Sequence, residues 1–289
     1  MAARLLGPTL RATLCTPSLE RSIEAWEGSL HHHVHSRGQL DAARATLLNA
    51  PGMAGAPFAL LANELGEPWL ELIENPAAKP LDPFAHSGWF SLEICVADVD
   101  ALRPTLDESL FKVIGEPANL EMSDNIRAMQ VIGPAGEVLY LTEIKAPVPP
   151  FDLPTARCMV DRLFIPVILA SDRSKTAAVY ERLNGQDGMK FDTKITVINR
   201  ARGLEISTQH PVCAQQLASS NLIEIDQLGS LQLRTGTGDK LPSGIVAITF
   251  AVKELPQHQT GQNIKDGLFA GRKTVCLLGE AGELIELIE

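Results

Sequence analysis

Nearly the same nine residues close each half of the chain. Gly133-Pro134-Ala135-Gly136-Glu137-Val138-Leu139-Tyr140-Leu141 recurs as Gly279-Glu280-Ala281-Gly282-Glu283-Leu284-Ile285-Glu286-Leu287, 146 positions later. Such repetition constrains a fold strongly, because two copies of one pattern build two copies of one structural unit. The likeness extends upstream: Ile126-Arg-Ala-Met-Gln-Val-Ile132 lies opposite Arg272-Lys-Thr-Val-Cys-Leu-Leu278 at the same offset, and both read as alternating strands entering a Gly turn. The beginnings of the halves also match. Ala12-Thr-Leu-Cys-Thr-Pro-Ser-Leu-Glu-Arg-Ser-Ile-Glu-Ala-Trp26 parallels Pro166-Val-Ile-Leu-Ala-Ser-Asp-Arg-Ser-Lys-Thr-Ala-Ala-Val-Tyr180 as strand, polar helix cap at Ser18 or Asp172, and helix ending on a large aromatic. Between them, Lys145-Ala-Pro-Val-Pro-Pro-Phe-Asp-Leu-Pro154 carries four prolines, a composition that favours a stiff, extended connector. The expected division is therefore residues 1–145, a linker at 146–157, and residues 158–289.

Composition narrows the function classes. The chain is 45% hydrophobic and 21% charged, with apolar residues enough for two cores and no run long enough to span a bilayer, so no membrane association is expected. A net charge of −10, with no gathering of Lys and Arg among aromatics, argues against nucleic-acid binding. Two arginines in the first fifteen residues invite comparison with a targeting peptide, but the repeat assigns residues 9–16 to a core strand. Five scattered cysteines, none in a C-x-x-C pair, fit reduced thiols in a cytoplasmic protein.

Each half divides again. Residues 9–75 read as strand, helix and further strands ending in Glu67-Pro-Trp-Leu-Glu-Leu-Ile-Glu74; residues 88–144 read as a strand at 89–96, a helix at 99–109 and strands ending at 138–142. Four βαβββ units of α+β class result. Their order and duplication, together with Ile94-Cys-Val-Ala-Asp-Val-Asp-Ala101 and the closing turn, resemble the vicinal oxygen chelate superfamily, the group of glyoxalases, bleomycin-resistance proteins and extradiol dioxygenases. The resemblance covers nearly the whole chain. It implies two units per half paired into a cup, with a divalent metal held by residues from first and last strands.

Matched residue by residue, the first half offers Arg11, Ser91 and Tyr140 at the usual ligand positions, and the second offers Ile165, Ala247 and Glu286. A guanidinium cannot ligate a cation, Ile and Ala offer no lone pair, and a single carboxylate is too few. No metal and no other cofactor is expected in either cup. Instead, strand alternation turns Arg11 and Thr13, Ser91 and Glu93, and Tyr140 toward a shared first cup, joined by Glu71, which holds in its strand the place Glu286 holds in the last. Expected roles are proton transfer for Glu71, Glu93 and Tyr140, and substrate binding for Arg11, Thr13, Ser91 and Trp69.

Blander readings stand beside these. Arg11 and Glu71 could form a buried ion pair filling a vacated metal site, Tyr140 could be a core aromatic, Glu286 a remnant, and Cys15 and Cys95 small apolar fillers. In His31-His-His-Val-His35, alternation would put His31, His33 and His35 on one side, as a surface cluster, a source of a base, or a metal site. His86, His210 and His258 read as loop residues. Two functions remain open: a metal-independent lyase or isomerase acting on a small anionic or enolisable substrate, and a non-catalytic protein that sequesters a small molecule. Dimers through outer surfaces are compatible with either, because one chain can complete both cups.

Overall fold

A computed structural model describes residues 4–256, 262–263 and 268–289; His258 lies outside them. The first unit runs β1 (Leu6–Thr16), α1 (Leu19–Leu30), β2 (His33–Gln39), α2 (Ala42–Leu47), β3 (Pro57–Ala62) and β4 (Pro68–Glu74). The second runs β5 (His86–Val96), α3 (Val99–Leu102), β6 (Lys112–Leu120), β7 (Ser123–Ile132) and β8 (Val138–Ile144). The third contains β9 (Val160–Ala170), α4 (Arg173–Asn184), β10 (Met189–Lys194), α5 (Thr196–Ala201), β11 (Gln209–Gln216) and β12 (Leu222–Gln227). A short β13 (Gln232–Leu233) pairs with the start of β5, and the last unit holds β14 (Gly244–Val252), β15 (Gln262–Asn263), β16 (Lys273–Leu278) and β17 (Leu284–Ile288).

Local chemistry places these elements. The Ser18 hydroxyl accepts from the Arg21 amide and the Asp172 carboxylate from the Lys175 amide, so α1 and α4 begin where their caps stand. Both run a turn beyond Trp26 and Tyr180, to left-handed caps at His31 and Gly185. The helix expected over 99–109 is shorter: Pro104 supplies no amide to an α-helical ladder, and α3 passes into a 3₁₀ turn at Arg103–Thr105. The repeated closing motif is a self-capped turn. Gly136 and Gly282 both sit at φ 84°, where a side chain would strain the backbone. Glu137 then accepts from the Ala135 amide at 2.8 Å and Glu283 from the Ala281 amide at 2.9 Å.

The units pair across the halves and not within them. One eight-stranded sheet joins the first and fourth units in the order β15-β16-β17-β14-β1-β4-β3-β2, and a second joins the middle units as β10-β11-β12-β9-β5-β8-β7-β6. At their centres β1 runs antiparallel to β14, with Arg11 opposite Thr249 and Thr13 opposite Ala247, and β5 runs antiparallel to β9, with Ser91 opposite Val167 and Glu93 opposite Ile165. The expectation of one cup per half is thus corrected. Repeated units present interchangeable first strands, so the repeat defines each unit but leaves its partner open. The proline-rich connector does not act as a spacer; Phe151, Leu153 and Ala156 pack into the interior of the β5/β9 sheet, and the Cys95 thiol donates to the Pro154 carbonyl at 3.7 Å.

The main core lies between the sheets and against α1 and α4. Trp89 of β5 spans it: its indole N–H donates to the Leu284 carbonyl at 2.8 Å, and its ring meets Tyr180 edge-on and Phe250 at a tilt. The Tyr180 hydroxyl in turn donates to Glu283 at 2.8 Å. Since both sheets need both halves, a fragment of residues 1–145 should not melt cooperatively as a monomer, whereas co-expression with residues 158–289 should restore a folded complex. A monomeric 1–145 fragment with a sharp calorimetric transition would contradict this pairing.

Candidate functional site

The concave face of the β1/β14 sheet is closed by a ring of charges. Arg11, from β1, donates to Glu71 of β4 at 3.3 Å and to Glu286 of β17 at 2.7 Å. Arg44, from α2, donates to Glu71 at 2.8 Å and also pairs with Glu286, so each carboxylate bridges both guanidinia. The Thr13 hydroxyl adds a bond to Glu71 at 2.9 Å, and the Thr249 hydroxyl donates to Glu286. All four charged residues are at most 4% exposed. Burial by itself would push both carboxyls up, but Arg11 and Arg44 override it, holding Glu71 below the usual range and Glu286 at about 2. Around the ring, α2 and its flanks seal the cup with Leu40, Ala45, Leu48 and Met53, and the Arg11 guanidinium lies 4.8 Å from the centre of the Phe269 ring.

The β5/β9 cup has the opposite character. Glu93 projects from β5, Tyr140 and Thr142 from β8, and Glu224 and Asp226 from β12, and among the described residues no cation pairs with the three acids. Burial, reinforced by the Glu224 charge, pushes Glu93 up to about 8, against a hydrogen bond from Thr142 at 2.8 Å. Burial and the Glu224 carboxylate beside it raise Asp226 well above the usual range, and burial raises Glu224 as well. Burial and the same acids keep the Tyr140 phenol protonated far into the alkaline range. A cleft of about 900 Å³ opens above this floor, with Gln130, Tyr140 and Glu224 facing it. The lack of a side chain at Gly115 makes room for the Gln130 amide, on which a Cβ there would collide.

The structure therefore divides the expected site. Arg11, Thr13 and Glu71 line the sealed cup; Ser91, Glu93 and Tyr140 lie in the other, where the Ser91 hydroxyl is buried without a partner. Trp69 lies in neither. The β3/β4 register slips between Leu61–Leu70 and Ala62–Pro68, leaving Trp69 as the extra residue of a bulge, and its ring packs on Trp26 and His32 instead of facing a ligand. The histidine run does not share one side either: His31 is the left-handed cap of α1, His32 is buried, and a second bulge falls at His35. His210 is a buried strand residue bonded to Asn199 at 2.6 Å, not a loop residue. Burial pushes the Cys15 and Cys95 thiols up to about 12, as fits inert fillers.

Three residues escaped the sequence reading. Arg44 lies in a helix without a counterpart in the compared repeats, so nothing aligned it with the cup. Glu224 and Asp226 carried a visible signal: Leu222-Ile-Glu-Ile-Asp226 has the alternation of Trp69-Leu-Glu-Leu-Ile73 and Leu284-Ile-Glu-Leu-Ile288.

The donor sets do not fit a divalent metal. In the sealed cup two guanidinia already neutralise Glu71 and Glu286, and the facing first-strand residues are Arg11 and Ala247. In the other cup the corresponding positions are Ser91, Ile165, Tyr140 and Glu224, of which only Glu224 is a carboxylate. Among the described residues Asp98, Asp100 and Glu143 also gather, but on the outer surface, where Arg127 grips Asp100 at 2.7 and 2.8 Å.

If the charge ring is structural, Arg11→Met should strand a buried carboxylate and cost about 3–5 kcal/mol. Arg11→Met with Glu71→Leu leaves Arg44 paired to Glu286 and should recover most of that loss in a denaturant titration. An Arg11→Met variant as stable as the parent would remove the ring from the account of the fold.

No protein-family model matches the sequence, and no curated protein matches it. Solved structures do match the fold. Glyoxalase I from Zea mays superposes with a TM-score of 0.61 at 13% identity, covering 97% of this chain and 92% of that one. A putative dioxygenase from Bacillus subtilis gives 0.64 at 12% identity, over 99% and 86%. The cppA protein from Streptococcus pneumoniae gives 0.51 at 10%, over 98% and 99%. Four repeated units, two curved sheets and these whole-length superpositions together give the chain the fold of the vicinal oxygen chelate superfamily.

Proposed function

We propose that this chain is a metal-independent enzyme, a lyase or isomerase, that moves a proton on a small enolisable molecule bound in the β5/β9 cup. The observation that carries the reading is the acid cluster of Glu93, Glu224 and Asp226, in which Glu224 lines an accessible cleft and, among the described residues, no cation pairs with the three. Carboxyls raised toward neutrality suit general acid–base catalysis, which contributes roughly 10²–10⁴-fold to a rate. Glu224 faces the cleft and acts as the base. Asp226 shares its proton with Glu224 and sets its basicity, and Glu93 is a proton reserve one strand away. Tyr140 and Gln130 present neutral donors to an oxygen that gains negative charge. Arg11, Thr13 and Glu71 take no part. Five free thiols support a reducing, cytoplasmic setting, and because each sheet closes within one chain, a dimer through outer surfaces would add nothing to the cup.

One observation favours the second reading, a sequestering protein. Met122, Met189 and Ile206 stand 51%, 41% and 45% exposed near the cleft, an adaptable apolar rim suited to binding alone. Solvent exchange separates the two. Ligands that raise the melting temperature should gain deuterium at the carbon beside their carbonyl when incubated with the protein in D₂O. Glu224→Gln should abolish exchange while retaining binding, and Tyr140→Phe should slow it. Stabilising enolisable ligands that bind in the cleft but never exchange would leave the sequestering reading in its place.

A further inference from the structure

The charges along the cleft select its ligand. Glu116 is held by Arg103 at 2.7 Å, and Glu121 by Lys194 at 2.9 Å. That leaves Arg200 of α5, exposed at the mouth, as a cleft-lining cation without an ion-pair partner among the described residues. The remaining unpaired ionisable groups lie on the floor, at Glu224 and Tyr140. Val113, Ile114, Phe191, Ile195 and Val197 give the cleft an apolar lining beside the polar Asn119, Thr193 and Thr196. A volume of about 900 Å³ lies in the range of small-molecule sites.

We infer that the cleft takes an amphipathic monoanion, with a carboxylate on Arg200, an aryl or branched aliphatic body between the walls, and a carbonyl-bearing end at Gln130, Tyr140 and Glu224. This rests on the assignment of the working site to the β5/β9 cup. A guanidinium presents paired N–H donors that match the two oxygens of a carboxylate. One free cation matches one negative charge. A second anionic group would have to lie among the floor acids, which repel it, whereas a carbonyl there meets the Tyr140 hydroxyl and the Gln130 amide. A fully polar ligand would leave the walls unfilled.

The probes are 3-phenylpropionate and 4-methylpentanoate, each beside its primary amide, with 3-(4-acetylphenyl)propionate, whose enolisable acetyl group lies at the far end of the ring from the carboxylate, as the full member. In calorimetric titrations of the full chain, the acids should bind about tenfold or more tightly than their amides. Arg200→Gln should bring that ratio close to one without weakening the amides, and Glu224→Gln should keep it. The inference is overturned if no acid binds, if amides bind as well as acids, or if the preference survives Arg200→Gln. 3-(4-Acetylphenyl)propionate tells the two failures apart. Deuterium exchange without an acid preference would defeat this ligand class and keep the proton-transfer reading; an acid preference without exchange would do the reverse.

Discussion

The arrangement of this protein depends on the ring in which Arg11 and Arg44 each bind both Glu71 and Glu286. Four charges withdrawn from water carry a large desolvation cost, and only close, mutually saturating geometry offsets it. The ring achieves this by drawing on three elements of the first unit and one of the fourth: β1, α2 and β4 supply three side chains, and β17 supplies Glu286. It thereby links the two ends of the chain. The second unit, with Tyr140 at the equivalent position, cannot replace the fourth at this sheet without losing that carboxylate, so the ring disfavours pairing within the first half.

The second sheet uses the same architecture without the cations. The position of Arg11 on β1 corresponds to Ser91 on β5 and Ile165 on β9. Arg44, the third residue of α2, corresponds in helix position to Ile198, the third residue of α5, which is buried among apolar neighbours. One of the two carboxylate positions is filled by Glu224 and the other by Tyr140, and neither cation has a counterpart. The two cups consequently respond to pH in opposite senses. Glu286, depressed to about 2, contributes stability above the ordinary carboxylate range and loses it as pH falls through its folded value. Glu93, raised to about 8, favours the folded state in acid and loses that contribution as pH rises through its folded value. One cup gives stability near neutrality, and the other gives up part of it for protons that can be moved.

Much of this was legible from the residues. The duplicated Gly-x-Ala-Gly-Glu turn marked the units, and strand alternation placed Ser91 and Glu93, and Arg11 and Thr13, on concave faces. Partner choice was not legible, because four similar first strands satisfy the same alternation in either pairing. That ambiguity merged two cups into one expected site. Trp69 was misplaced because a bulge breaks the two-residue period, and bulges leave little trace in a short apolar run. Arg44 was missed because a connection between strands has no periodicity that would aim its side chain. Glu224 was legible in principle, since its strand repeats the pattern of the other last strands.

The division between a neutralised cup and a proton-sharing cup is tested most directly by following the side-chain carboxyl carbons of ¹³C-labelled protein by NMR across a pH titration, with Glu93→Gln and Glu286→Gln spectra for assignment. Glu93 should be protonated at neutrality and titrate with a midpoint of about 8, while Glu286 stays ionised until about pH 2. A Glu93 carboxyl that ionises together with the exposed glutamates, or a Glu286 carboxyl that takes up its proton with them, would contradict the assignment of the two cups.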